Sequence, residues 1–369
     1  MIYFDNAATT KPSREAIEAS SAANESVYGN PSSAHVLGAE AEALLKKSLA
    51  ALGGFLDVSP DEIILTSGGT ESNNMAFFGR NAKQTTFVTN YAEHASVVAP
   101  AERLRNDGYA VIFSSLLRNG ALDMDALEKI LRESRGAFLS VMHVNNETGV
   151  IQDMDEIGRL AKRYDAVFHV DGTQGFGKHR LSLRHVDLYT FSAHKIHGLK
   201  GMGALFIKKG EHSRPMFYGG HQQGGVRPGT ENVAGAAAFA AAAAKAFANM
   251  RENALRVTSV KDALLQRIGD AVVNGENVSP YIANVSFVGA KAETIVNALK
   301  DKGICVSAGA ACNAKKAKAG ILSHYGAPDN IAESAVRISF SPQNTTDEAE
   351  RCAEVILETM GLLRKFQRN

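Results

Sequence analysis

Residues 154–195 read MDEIGRLAKRYDAVFHVDGTQGFGKHRLSLRHVDLYTFSAHK. Met154–Arg163 carries the apolar period of a helix, while Val167–Val170 and Leu188–Phe191 are short β-branched or aromatic runs. A helix pattern feeding buried-strand patterns predicts a mainly parallel sheet flanked by helices. The alternation extends outward from about Asp61 to Lys208. Further candidate strands are Glu62–Leu65, Thr86–Thr89, Ala110–Phe113, Phe138–His143 and Ala204–Ile207. The expected class is therefore α/β, with a doubly wound sheet. From Asn232 to about Arg267 the chain reads as one or two long helices with small Ala faces that let neighbours approach closely. Beyond it, Tyr281–Val288, Glu293–Lys300, Ile304–Ser307, Arg337–Phe340 and Thr346–Arg364 alternate strand and helix in a smaller α+β unit. The expected division is a large domain over 14–250 and a small one built from 1–13 and 251–369.

Composition narrows the function classes. The chain has 369 residues, 40 Lys+Arg against 39 Asp+Glu, and a net charge of +1, so its overall field recruits neither nucleic acid nor an anionic membrane. With 45% hydrophobic and 21% charged residues it is too apolar to be largely disordered. The start, MIYFDNAATT, has no basic n-region or apolar h-region, and the longest apolar run, Ala234–Ala244, is too short to span a bilayer. Three cysteines at wide spacing, Cys305, Cys312 and Cys352, fit no disulfide framework. These features point to a cytoplasmic protein with no membrane segment.

In open α/β sheets ligands gather at the carboxyl ends of the strands. Glu62–Leu65 runs into Thr66-Ser67-Gly68-Gly69-Thr70-Glu71, after which a helix is expected. Glycines there admit an anion, and a helix N-terminus offers free N–H groups to a phosphate. By itself the loop reads more readily as a glycine turn with a threonine cap. Val167–Val170 delivers Asp171, followed by Gly172-Thr173-Gln174, and Leu188–Phe191 delivers Ser192-Ala193-His194-Lys195. A carboxylate for a pyridinium nitrogen, a lysine able to form an imine and a phosphate-binding loop are what a pyridoxal phosphate site requires. His194 and His197 lack companion ligands at metal spacing, and no metal is expected. His94 gains interest because such a cofactor needs an aromatic ring to stack on. Cys312, within Ser307-Ala308-Gly309-Ala310-Ala311-Cys312-Asn313, sits in a run of small residues followed by lysines that favour the thiolate. Cys305 and Cys352 read as structural.

The segments YFDNAATT from Tyr3, GNPSSAH from Gly29, TSGGTESNN from Thr66, EH at Glu93, HVNNETG from His143, HVDGTQ from His169, SAHKIHG from Ser192, GGHQQGGVRPGTEN from Gly219, SAGAAC from Ser307 and VRISF from Val336 together resemble the pyridoxal-phosphate-dependent cysteine desulfurases. These belong to the class V aminotransferase group of fold-type I enzymes. The resemblance runs along nearly the whole chain. It implies that Lys195 is the Schiff-base lysine, that Asp171 pairs with the pyridine nitrogen and that His94 stacks on the ring. Asn146 and Gln174 would contact the ring hydroxyl. Gly69, Thr70, Ser192 and His194 would hold the phosphate, with Thr230 supplied by a second subunit of a homodimer. Arg337 would grip the substrate carboxylate, in the bidentate manner that suits guanidinium. The implied reaction converts L-cysteine to L-alanine and leaves the sulfur as a persulfide on Cys312, in a loop over about 305–320, for an acceptor or scaffold protein.

Two departures stand out. Ala311 and Asn313 flank the cysteine where relatives commonly carry Ser and Ser or Thr, and Lys315-Lys316-Ala317-Lys318 adds charge that could dock an acidic acceptor. The chain also reaches Asn369 soon after its last predicted helix, leaving little tail for a scaffold. The rival enzymatic readings are a selenocysteine lyase or an aminotransferase on the same scaffold. A transaminase needs no thiol at Cys312, and a non-catalytic platform for sulfur trafficking needs none of Lys195, Asp171, His94, Cys312 and Arg337 together. Iron–sulfur cluster assembly, tRNA thiolation and other destinations of the sulfur are not separable at this level.

Overall fold

The computed structural model describes residues 1–80, 84–269, 271–308 and 320–366. Its strands, in chain order, are β1 (Ile2–Tyr3), β2 (Ile63–Thr66), β3 (Phe87–Thr89), β4 (Val111–Phe113), β5 (Phe138–Met142), β6 (Val167–Asp171), β7 (Leu188–Ser192), β8 (Gly203–Ile207), β9 (Val272–Val273), β10 (Ile282–Ser286), β11 (Ile304–Cys305) and β12 (Ala335–Ser339). Seven of them form one sheet in the order β2-β8-β7-β6-β5-β3-β4. All its pairings are parallel except the two made by β8, which runs antiparallel to β2 and β7.

The central strands are apolar on both faces because helices cover both. Phe138, Leu139, Val141, Phe168, Val170, Leu188 and Phe191 are all buried, and every residue of β5 and β7 is inaccessible. This is the continuous apolar reading that parallel strands require. The helix before β6, Met154–Arg163, shows how local signals set the elements. Asp153 caps it by accepting from the Glu156 N–H at 2.9 Å, and Met154, Ile157, Leu160 and Ala161 turn one face into the core. Asp165, at φ 58°, then reverses the chain into β6. The Ala-rich segment forms two helices, Val233–Ala248 and Met250–Ile268. No single helix among the described residues is long and apolar enough to cross a membrane.

A second apolar core joins Phe4 and Ala7 to Val257, Leu264, Val285, Ile295, Val336, Ile338 and Ile356. Its antiparallel sheet has the order β12-β10-β9, and β1 pairs parallel with β11. The N-terminal segment thus leaves the small core and crosses to the carboxyl ends of the large sheet. Ser339 N–H donates to the Phe4 carbonyl at 2.7 Å, and Thr10 N–H donates to the His194 carbonyl at 3.0 Å.

Candidate active site

The parallel register puts the carboxyl ends of the central strands side by side, with Met142 paired to Asp171 and Asp171 to Thr190. Above them lies a cavity of about 390 Å³ lined by Gly69, Thr70, His94, Asn146, Asp171, Gln174, His194, Lys195 and Arg337, among others. Nine of the residues singled out from sequence are therefore brought to one cavity. Ser192 is not among the lining residues and is buried at the end of β7, two residues before His194. Thr230 is exposed and outside this lining. Cys312 and Lys315–Lys318 lie outside the described residues.

Asp171 is 4% exposed and both of its oxygens are held: Asn73 Nδ2 donates to Oδ2 at 2.8 Å and the Thr173 N–H donates to Oδ1 at 3.0 Å. The same Asn73 amide donates to Ser96 Oγ at 2.8 Å, and Ser96 Oγ meets His94 Nδ1 at 2.7 Å. Since the Ser96 backbone N–H also donates to Nδ1, the ring nitrogen is an acceptor and the neutral imidazole carries its proton on Nε2. One network thus fixes the carboxylate and the ring. Desolvation by the surrounding protein lowers the His94 pKa; Asp171 opposes this, while Lys195 and Arg337 add to it.

The Lys195 amine donates to the carbonyls of Ala7 at 2.6 Å and Ala8 at 2.9 Å. Burial brings its pKa down to about 8, with help from the Arg337 charge and against the pull of Asp171, Asp5 and Glu147. A neutral amine is therefore accessible near physiological pH. Gln174 Nε2 donates to the same Ala7 carbonyl at 2.8 Å, while its Oε1 accepts from Lys178 Nζ at 3.2 Å. Asn146 Nδ2 donates to Glu147 Oε1 at 3.2 Å.

At the other end of the cavity the helix Gly69–Phe78 starts three residues earlier than the sequence reading placed it, so Gly69 and Thr70 lie in its first turn. The reason is Gly68, whose φ of 154° turns the chain sharply out of β2 and lets the helix begin at once. A Cβ on Gly203 would stand 2.6 Å from the Gly68 Cα, so two glycines are needed where β8 passes this turn. Gly69, Thr70 and His194 also border an open depression that holds Lys200. Burial and the nearby charges of Lys195, Lys200 and Lys178 lower the His194 pKa to about 4, and its Nδ1 pairs with Thr9 Oγ1 at 3.1 Å. His197 Nδ1 faces the Lys11 carbonyl at 2.9 Å, so the two histidines turn to the N-terminal segment and not to a common ion.

Two observations test the fit of a phosphorylated pyridine cofactor. Ser192 Oγ and Thr173 Oγ1 are buried without a hydrogen-bond partner among the described residues, an arrangement that is costly unless a ligand supplies the partner. A Cβ on Gly69 would stand 2.9 Å from Thr173 Oγ1, so the first turn of the helix is kept open beside that hydroxyl. With free N–H groups at the phosphate end, a held carboxylate on the floor and a desolvated amine on the wall, the donor set fits the group.

Comparison with known proteins agrees with this chemistry. Residues 2–352 match the model of the aminotransferase class-V family. The chain belongs to the class-V aminotransferase family. Pyridoxal 5′-phosphate is the cofactor of that family. A NifS/IcsS protein homologue of Lactobacillus delbrueckii is 38% identical over 95% of this chain and 94% of its own length. A cysteine desulfurase IscS of Dictyoglomus turgidum is 34% identical over 98% and 95%. Among solved structures, a NifS-like protein superposes with a TM-score of 0.91 at 32% identity, covering 98% of this chain and 99% of that one. A NifS-like protein from Rickettsia africae gives 0.88 at 30% identity, over 97% and 99%. The fold-type I architecture expected from sequence is the one observed.

Sequence reasoning missed Asn73, Ser96, Glu93 and Lys178. Asn73 and Glu93 lie inside quoted motifs, but their roles depend on contacts 98 and 49 residues away, with Asp171 and Met142. Glu93 Oε1 accepts from the Met142 N–H at 2.8 Å and from Asn90 Nδ2 at 2.7 Å, and so ties the His94 loop to the end of β5. Burial pushes its pKa up to about 8, and the Asp171 charge adds to this against those hydrogen bonds.

Proposed function

We propose that the protein is a cysteine desulfurase, converting L-cysteine to L-alanine with transfer of the sulfur to Cys312. The carrying observation is the convergence of a desolvated lysine, a doubly held carboxylate and a buried arginine on one cavity in a chain whose relatives bear that name. When bound, pyridoxal 5′-phosphate supplies a carbonyl for the substrate amine and a ring that accepts the Cα electrons. Asp171, fixed by Asn73 and Thr173, holds the proton of the ring nitrogen. His94 presents its ring face, oriented through Nδ1 by Ser96. Gly69, Thr70, Ser192 and His194 would hold the cofactor's phosphate, and Asn146 and Gln174 would contact its ring hydroxyl. Lys195 Nζ, neutral in a useful fraction at pH 7–8, takes the Cα proton and later returns one. Arg337 binds the substrate carboxylate.

Cys312 Sγ attacks the substrate sulfur. A sulfur–sulfur bond forms, the Cβ–S bond breaks with its electron pair left on carbon, and protonation there gives alanine. Both described flanks of the stretch that carries Cys312 lie beside the cavity. Ser307 exchanges two backbone hydrogen bonds with Arg337, and His324 stacks on Tyr91, three residues from His94. This tethering supports the thiol assignment.

The assembly and setting belong to the same reading. Phe217 and Tyr218 are exposed, Tyr218 at 90%, in the segment that leads to Thr230; this supports a homodimer in which Thr230 reaches the neighbouring site. The sulfur passes to an acceptor protein of the kind that serves iron–sulfur cluster assembly. Free thiols at Cys305 and Cys352 support a cytoplasmic setting. The largest apolar cluster draws only on residues between 16 and 247 and the second only on residues 2–7 and 257–363, which supports a large unit over 14–250 and a small one built from 1–13 and 251–369. The test is addition of L-cysteine and reductant to the cofactor-loaded protein, with alanine and sulfide both measured. Equal amounts of the two support the proposal; mercaptopyruvate without sulfide or alanine, the amino group being left on the cofactor, would replace it with an aminotransferase.

A further inference from the structure

Arg337 is 6% exposed, and most of its donors are already committed. Nη1 donates to the Asn146 carbonyl at 3.0 Å and to Glu147 Oε1 at 3.4 Å, and Nη2 donates to Asp5 Oδ1 at 2.9 Å. Nε is buried and has no partner among the described residues. A guanidinium has five N–H donors in a fixed fork. Nε and part of Nη2 therefore remain uncommitted among the described residues, and Asp5 already shares Nη2 where Arg337 lines the cavity.

The backbone of Asp5 is fixed. Its backbone bridges to Ser339, two residues beyond Arg337 on β12, and is locked there by Ser339 N–H to Phe4 O at 2.7 Å and Ala7 N–H to Ser339 Oγ at 2.9 Å. The same short segment gives its Ala7 and Ala8 carbonyls to Lys195. The N-terminal segment thus touches the catalytic amine with its backbone and the substrate-binding guanidinium with its one carboxylate.

We propose that Asp5 is a positioning residue that sets the affinity of Arg337 for the substrate carboxylate, its oxygen orienting the guanidinium and its charge weakening the grip. This rests on the function proposed above. With Asp5 and Glu147 in place, one cation faces two anions before substrate arrives, so an incoming carboxylate meets a positive charge already balanced and a like charge next to its seat. The consequence is weaker binding of every α-amino acid carboxylate, product included, which favours release of alanine between turnovers.

The experiment compares Asp5→Asn, Asp5→Ala, Glu147→Gln and Arg337→Ala as cofactor-loaded enzymes. Asp5→Asn keeps the accepting oxygen and removes the charge. It lowers KM for L-cysteine and the dissociation constant of L-alanine together, by roughly three- to tenfold after solvent screening of a partly exposed carboxylate, with a smaller change in kcat. Glu147→Gln shifts both constants in the same direction, added salt shrinks the difference, and Asp5→Ala, which also loses the orienting oxygen, forfeits the gain. An unchanged or raised KM in both Asp5→Asn and Glu147→Gln, while Arg337→Ala raises it strongly, overturns this inference and leaves the desulfurase reading intact. If Arg337→Ala leaves KM unchanged, the carboxylate seat is elsewhere and the assignment beneath the inference falls with it.

Discussion

Replacing Glu93 by Gln should change how stability depends on pH. Glu93 is 8% exposed, and its carboxyl titrates at about 8 in the fold against 4.5 ordinarily. Between those values the unfolded chain has released the proton while the folded chain still holds it, so stability falls as pH rises through the window. The contribution is fully present below pH 4.5, is lost progressively up to about 8, and changes no further above it. The gap sets an upper bound of about 5 kcal/mol, which relaxation and water entry reduce to roughly 2–4 kcal/mol. Gln keeps the oxygen that accepts from Met142 and Asn90 but has no such proton to lose. Any constant cost of placing its amide there cancels when the two proteins are compared across pH. For a chain of this size, about 1 °C of melting temperature accompanies each kcal/mol. The melting temperature of Glu93→Gln minus that of the parent should therefore rise by about 2–4 °C between pH 5 and pH 8. Parallel curves over that range would show that Glu93 is ionised in the fold and would refute the reasoning.

Other outcomes follow from the network around the cavity. Asn73→Ala removes the donor to Asp171 Oδ2, leaves Ser96 Oγ without its second partner, and should weaken cofactor binding about ten- to hundredfold in equilibrium dialysis. Ser192→Ala deletes a buried hydroxyl that has no partner in the described protein, so it should leave the cofactor-free melting temperature within about 1 °C and yet weaken the phosphorylated cofactor more than pyridoxal; equal weakening of both would contradict a phosphate role. Cys312→Ala should retain the visible absorption of the lysine-bound cofactor and lose sulfide release, and normal sulfide production would remove the persulfide assignment.

The large sheet was legible because parallel strands buried on both faces must be continuously apolar. The seven candidate strands match the observed β2 to β8 to within about a residue at each end. Ile304–Ser307 was expected as an element of the small unit, but its partner strand Ile2–Tyr3 was not, since a two-residue strand carries no period and exists only through a partner 302 residues away. Likewise Asp171, Lys195 and His94 could be found as polar residues at strand ends, whereas Asn73 and Ser96 earn their roles from contacts across helices. Asp5 is the extreme case. It lies inside the quoted YFDNAATT segment without a role of its own, and only the crossing of the N-terminal segment from one core to the other places it against Arg337.

The central claim is that Lys195 binds the cofactor, and the structure contains a competitor. Lys178 is desolvated further, its pKa brought down to about 7 by burial with help from Lys195, and it contacts Gln174 on the cavity wall. Among the lysines of the described residues, only Lys195 lines the cavity together with Asp171 and His94. Borohydride reduction of the cofactor-loaded protein, followed by peptide mapping, reads the attachment site directly. A pyridoxyl group on Lys195 and none in the Lys195→Ala protein is the expected result; a label on Lys178, or one that survives Lys195→Ala at the same level, would contradict the account.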